Sequence, residues 1–231
     1  MKTINIFLAL VILTASVTFG MQSGNSPLAV VTKVINSVDK KNPESDWKKI
    51  IKGDPLKIKE LVRTGLKSVA IIKFTDKSII RLLENSELEM LGGKQPKQTL
   101  NDMKLQKGSI GFTITKKQNE QYTFSSPTSV ASIRGTKGKF HSQDELDILI
   151  VTEGIVNLKN LISGKDTDVG SNQIGFSHPD GKLEVRDATP DEIAGCEESL
   201  KAGDVRKKNE MQLELRDSDG NKRNLKIDYQ E

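Results

Sequence analysis

Cysteine, histidine and aromatic residues are scarce in this 231-residue chain. It holds one Cys (Cys196), two His (His141 and His178), one Trp (Trp47) and 4% aromatics. A single Cys excludes a disulfide framework, and so few imidazole and thiolate ligands argue against a zinc site. The lack of aromatics argues against a large aromatic-lined cofactor cavity, so no cofactor is expected. Neither charge sign dominates. Lys+Arg total 35 and Asp+Glu 31, a formal balance of +4. The two signs alternate along the chain, and no nucleic-acid footprint results. Helical periodicity is nearly absent over the central region, and Lys48 to Leu61 is the one stretch where it can be argued.

The one long apolar run lies at the start. Lys2 precedes Ile6 to Leu13 (IFLALVIL), and Thr14 to Gly20 (TASVTFG) follows as a weakly polar segment. This is the pattern of a secretory signal over residues 1–20, with cleavage before Met21 or after Ser16. An uncleaved anchor is the other reading, because no charge falls between Thr3 and Gly20, near the lower limit for a bilayer span. Cleavage would leave no stable membrane span, and export to a periplasmic or extracellular location is expected. No Cys lies near residue 20, so a lipid anchor is not expected there. Cys196 is then either a buried or a free thiol.

Residues 21–28 form a polar linker. From residue 29 to 188 the apolar clusters are short and rich in β-branched residues: LAVVTKVI (28–35), SVAIIKF (68–74), SIIRLL (78–83), LDILIVT (146–152) and IVNL (155–158). Turn signals recur about every 8–12 residues, as in all-β domains. Residues 68–83 predict a hairpin turning at Thr75-Asp76-Lys77, and residues 91–99 a Gly/Pro-containing loop. Such strands imply a sheet wound back on itself, whether sandwich, barrel or solenoid. The tail, 189–231, differs. Thr189-Pro190-Asp191-Glu192 is a helix start, with an N-cap, Pro in the first turn and acids at the positive end of the dipole. Gly203 would stop that helix. Residues 211–229 alternate around an Asp-Gly turn and predict a terminal hairpin, although their charge density could leave it frayed.

No catalytic set converges. His141 and His178 lie 37 residues apart in polar, loop-like contexts, consistent with solvated histidines, and no Gly-x-Ser-x-Gly elbow is present. Asp217, Asp219 and Asn221 have the spacing of a calcium loop, but Lys222 stands where Gly is required and a bidentate Glu is missing. An enzyme is therefore not expected. Arg134-Gly135-Thr136 has a structural reading: Gly135 permits a turn, Arg134 forks onto a carboxylate such as Glu153, and Thr136 caps the turn. Its functional reading is an acidic ligand on Arg134. Lys48, Lys49, Lys52, Lys57 and Lys59 form a basic cluster, and Arg206, Lys207 and Lys208 a second. They either solvate a face and guard strand edges, or contact an anionic cell-wall polymer or lipid head groups.

The stretch from Ala29 to Ala188 resembles the FecR domain. Val62-Arg63-Thr64-Gly65, the hairpin at Val69 to Ser78 (Lys77 replacing the usual Gly), Ser86-Glu87-Leu88 and Leu105 to Ser109 follow the family's order. Ser132-Ile133-Arg134-Gly135-Thr136 resembles its most specific motif, with the following aromatic, Phe140, two residues later than usual. Val151 to Val156, containing Glu153-Gly154, resembles its later strand pair. The resemblance implies an extracytoplasmic, all-β, twisted solenoid- or sandwich-like fold that works by recognition. In relatives it implies passage of a signal from an outer-membrane receptor to a sigma factor. Only Met1 to Asn5 precede the apolar run, so a cytoplasmic sigma-binding domain is not expected here. A non-enzymatic binding or scaffold module of the cell envelope is expected, with an envelope protein or cell-wall polymer as partner. A soluble modulator of envelope-to-sigma signalling is the alternative.

Overall fold

The computed structural model describes residues 27–95, 98–118, 120–204, 209–216 and 222–229. The chain is all-β with one short helix near its C-terminal end, and it lays its strands alternately into two facing sheets. β1 (Ala29–Ile35) enters the first sheet, and β2 (Val38–Lys41) and β3 (Lys48–Lys49) the second. β4 (Pro55–Leu56) returns to the first and β5 (Leu61–Thr64) to the second. The hairpin of β6 (Val69–Phe74) and β7 (Ile79–Leu82) belongs to the first sheet, β8 (Glu87–Met90) and β9 (Gly93–Gln95) to the second. β10 (Gln98–Thr113) serves both. Three hairpins then alternate: β11 (Glu120–Ser125) and β12 (Ser129–Ile133) in the second sheet, β13 (Lys137–Gln143) and β14 (Leu146–Glu153) in the first, β15 (Val156–Asn160) and β16 (Asp166–Val169) in the second. β17 (Gln173–Ser177) and β18 (Leu183–Asp187) complete the first.

The pairings give the order β4-β1-β6-β7-β10-β13-β14-β17-β18 in the first sheet. The second runs β3-β2-β5-β8-β10-β11-β12-β15-β16. The pairs are antiparallel except β10–β11. The body is thus a sandwich wound hairpin by hairpin. Period-two alternation sends one face of each strand inward. Leu56, Ile72, Leu88, Phe112, Phe124 and Phe140 are completely buried between the sheets.

β10 passes between the sheets at a corner. Gln98 to Leu100 pair with β9, Met103 to Lys107 with β8, and from Gly108 onward the residues pair with β13. Gly108 has φ +95°, and a Cβ there would lie 2.5 Å from Ser86 Cα, so no other residue fits the bend without displacing backbone. The β6–β7 hairpin turns at Lys77 with φ +75°, a left-handed conformation that costs an L-residue energy. The turn is held by Asp76, whose carboxyl accepts from Ser78 N (2.9 Å), Ser78 Oγ (2.7 Å) and Tyr122 OH (2.9 Å). Burial drives the Tyr122 hydroxyl far above its usual range, which keeps it a donor. Replacing Lys77 with Gly should therefore raise stability by about 0.5–1 kcal/mol. A urea midpoint that does not increase would show that the left-handed lysine is unstrained.

Helix α1 (Pro190–Lys201) begins with a capping box: Glu192 N donates to Thr189 Oγ1 (3.3 Å) and Thr189 N to Glu192 Oε2 (2.8 Å). α1 lies on the outer face of the first sheet, packing Ile193 and Cys196 against Ile150 and Ile174. Arg186 holds its start through two hydrogen bonds to Glu192 (2.9 and 2.7 Å). Arg81 holds its end through Ala202 O (3.2 Å) and an ion pair with Asp204. β19 (Asn209–Arg216) and β20 (Lys222–Tyr229) pair as a separate hairpin. Among the described residues no helix is long and apolar enough to cross a membrane. The apolar run at 1–20, the Arg206–Lys208 cluster and the Asp217–Asn221 turn lie outside the described residues.

Two expectations need correction. Lys48 to Leu61 contains no helix; it holds β3, β4 and the first residue of β5. The loop read at 91–99 is partly strand, since β9 and the start of β10 fall within it.

Candidate functional site

The Arg134-Gly135-Thr136 turn carries the chain from β12 in the second sheet to β13 in the first. It nests against the β14–β15 turn, which makes the reverse crossing. Gly135 has φ +68° and Gly154 φ +93°. A Cβ on Gly154 would sit 2.5 Å from Thr136 Cγ2 and 3.0 Å from Gly135 O. The structure thus brings Gly135, Thr136 and Gly154 together, as packing partners. Two expected contacts are absent. Glu153 pairs with Lys137 (2.5 Å), the residue after the motif, because β13–β14 register sets those two opposite each other. Arg134 is exposed and forms no ion pair with a described residue. Thr136 is buried with its Oγ1 unpartnered among the described residues, so its methyl group rather than its hydroxyl makes the contact. Gly154→Ala combines a left-handed φ with this steric overlap and should cost about 1–3 kcal/mol. A thermal melt within 1 °C of the parent would contradict that.

The lysine cluster is spread along one side of the sandwich. Lys48 and Lys49 are the exposed edge strand β3, Lys52 lies in the following loop, and Lys57 and Lys59 flank the turn after edge strand β4. None of the five forms an ion pair with a described residue. Charge on such edges opposes strand addition by other chains. Nearby, Lys41 Nζ and Arg63 Cζ both approach the Trp47 ring, at 4.7 and 4.0 Å from its centre.

A constellation that sequence reasoning missed lies on the outer face of the first sheet. His141 is not a solvated loop residue. It stands on β13, directly opposite Ser109 of β10, and its Nδ1 is 2.7 Å from Ser109 Oγ. Burial lowers the His141 pKa from its usual value, with Lys139 acting in the same direction and the Gly108 carbonyl opposing, so the imidazole is neutral at neutral pH. Register continues the row through Ile148 of β14, Phe176 of β17 and Glu184 of β18. The next row, Lys139, Ile150, Ile174 and Arg186, runs beside α1. The helix buries Ile150 and Ile174 and leaves the His141 row half-buried along its N-terminal flank.

Two cavities meet at Ser109 and His141. One, of about 300 Å³, has an apolar floor of Ile148, Ile150, Ile174 and Phe176. The other, of about 700 Å³, is polar and opens between the β7–β8, β10 and β13–β14 corners, lined by Glu84, Gln106, Lys107, Gln143, Asp144 and Glu145 among others. Phe176 is flanked by His178 (ring centres 6.4 Å) and Arg186 (5.3 Å). Among the described residues no cluster of His, Cys, Asp or Glu could hold a metal. What the arrangement offers is a shelf: apolar contact, a neutral donor–acceptor pair and a carboxylate-rich end.

Alternating hairpins, a covered core and a grooved outer face define a wound β module. Residues 60–157 match the model of the FecR protein family. Two crystal structures of a candidate anti-sigma factor from Parabacteroides distasonis ATCC 8503, at 1.65 and 2.50 Å resolution, share the fold. Each has a TM-score of 0.50 and 9% identity, over 58% of this chain and 62% of that one. The chain thus spans less than two thirds of their length. No curated protein matches.

Proposed function

We propose that this chain is a non-enzymatic binding module of the bacterial cell envelope that modulates regulatory signalling by contact with a protein partner. The FecR match at residues 60–157 carries this proposal, and the shared fold with a candidate anti-sigma factor supports it. The grooved outer face supplies the kind of surface such contact needs. Export rests on the signal-like pattern of residues 1–20.

Cross-linking of the full chain in its native cells, with identification of the captured species, tests the proposal. A discrete protein partner, captured from the envelope fraction, is expected. Capture of no protein would overturn it. A second function is favoured by the five lysines at 48–59, none in an ion pair with a described residue: binding of an anionic cell-wall polymer. It predicts sedimentation with purified wall that is lost when those lysines become Gln.

A further inference from the structure

We infer that the Ser109–His141 shelf is a binding site for an extended peptide segment of the partner, one that carries apolar side chains next to basic ones. This deepens the proposed function and rests on the chain being a protein-binding module. Three features of the shelf select that ligand class.

The first is shape. The row Phe176, Ile148, His141, Ser109 crosses three strand spacings, about 14 Å at the usual separation of sheet strands. An extended chain covers that distance in about four residues. α1 forms a wall on one side, leaving a channel rather than a flat sheet.

The second is the order of chemistry along the channel. Its apolar end is Ile148 and Phe176, both half-buried. Its middle is the Ser109–His141 pair, able to exchange hydrogen bonds with a peptide group. Its far end opens onto Glu84, Asp144 and Glu145, all exposed and none in an ion pair with a described residue, against the single cation Lys107.

The third is the balance of unengaged charge: of the cations lining the channel, Lys107 and Lys139 form no ion pair with a described residue. Arg186 is held by Glu192, and Lys182 pairs with Glu184. At the Asp144 corner the three carboxylates outside any described ion pair, Glu84, Asp144 and Glu145, outnumber Lys107, and they favour a cationic ligand. An acidic peptide or an anionic polymer would meet repulsion there.

The test uses the full exported chain and two labelled hexapeptides, Leu-Phe-Ser-Lys-Arg-Lys and its charge-reversed counterpart Leu-Phe-Ser-Glu-Asp-Glu, followed by fluorescence anisotropy. The basic peptide should bind saturably and at least tenfold more tightly than the acidic one. The double variant Asp144→Lys/Glu145→Lys should lose at least tenfold. Both positions are exposed turn residues with left-handed φ (51° and 64°), and circular dichroism should confirm an unchanged fold. Phe176→Ala should lose a similar factor, with circular dichroism verifying its structure. Absence of saturable binding by the basic peptide, preference for the acidic one, or indifference to the Asp144/Glu145 reversal would overturn the site. Such a failure would leave partner capture in cells, and so the proposed function, unaffected.

Discussion

Asp147→Ala should destabilise the protein by about 3–4 kcal/mol, the largest loss expected from any single polar residue described. Asp147 is completely buried, near the start of β14 in the first sheet. Its Oδ2 accepts hydrogen bonds from Ser126 Oγ (2.5 Å), Thr128 Oγ1 (2.6 Å) and Ser129 Oγ (2.6 Å). Those hydroxyls belong to the β11–β12 turn of the second sheet, so one carboxyl oxygen pins the two sheets at that end. Removing it strands three buried hydroxyls, each costing about 1–3 kcal/mol when unsatisfied. The losses overlap, because Ser126 and Thr128 also reach the Ser129 and Glu145 carbonyls. Asp147→Asn keeps an acceptor and should cost about half as much. It would place a donor at Oδ1, which has no partner among the described residues. Urea unfolding with an unchanged slope reads these values as stability. An Asp147→Ala variant within 1 kcal/mol of the parent would show that the hydroxyl cage does not hold the sheets.

Cys196 should resist thiol reagents at least a hundredfold more strongly in the native chain than in the unfolded one. It is 1% exposed, beneath α1 and against Ile150 and Ile174. Burial pushes its pKa from 9.0 to about 11. At pH 8 that shift alone lowers the reactive thiolate about a hundredfold, since each unit is tenfold, and steric cover adds to it. The same shift sets a pH dependence. A folded-state pKa above the unfolded value means that the folded state favours the protonated thiol. Its stabilisation is present below pH 9 and is lost as the pH rises through about 11. Maleimide labelling followed by mass spectrometry checks the protection. Labelling of native protein at the rate of urea-unfolded protein would mean that α1 does not seal the outer face.

The fold was legible where one face of a strand is apolar. The segments 28–35, 68–83 and 146–158 correspond to β1, the β6–β7 hairpin and β14–β15, because β-branched residues and turn signals mark both their interior and their ends. The turn at Thr75-Asp76-Lys77 and the helix start at Thr189 were visible from local chemistry, although the left-handed φ of Lys77 and the reciprocal Glu192 bond were not. β13 was not. Its inward positions are Gly138, Phe140 and Ser142, so only one large apolar residue signals a strand, and its outward positions include Lys139 and His141. The first half of β10 was hidden for the same reason, with polar Asn101 buried beside Met103 and Leu105. The shelf depends on those two strands. Ser109 and His141 are 32 residues apart, and only the register of β10 with β13 makes them neighbours. No local spacing encodes that. In the Arg134-Gly135-Thr136 and Glu153-Gly154 motifs the glycines were informative because turns need them. The expected Arg134–Glu153 fork failed because register places Lys137, not Arg134, opposite Glu153.

The central claim is that this β module acts by being bound, and through that contact adjusts gene regulation. Transcript profiling of native cells before and after deletion of the gene tests this most directly. The account predicts that one coherent sigma-dependent set of transcripts shifts on deletion and returns when the wild-type chain is restored. An unchanged profile, with the wild-type chain present and then absent in the envelope of growing cells, would contradict it.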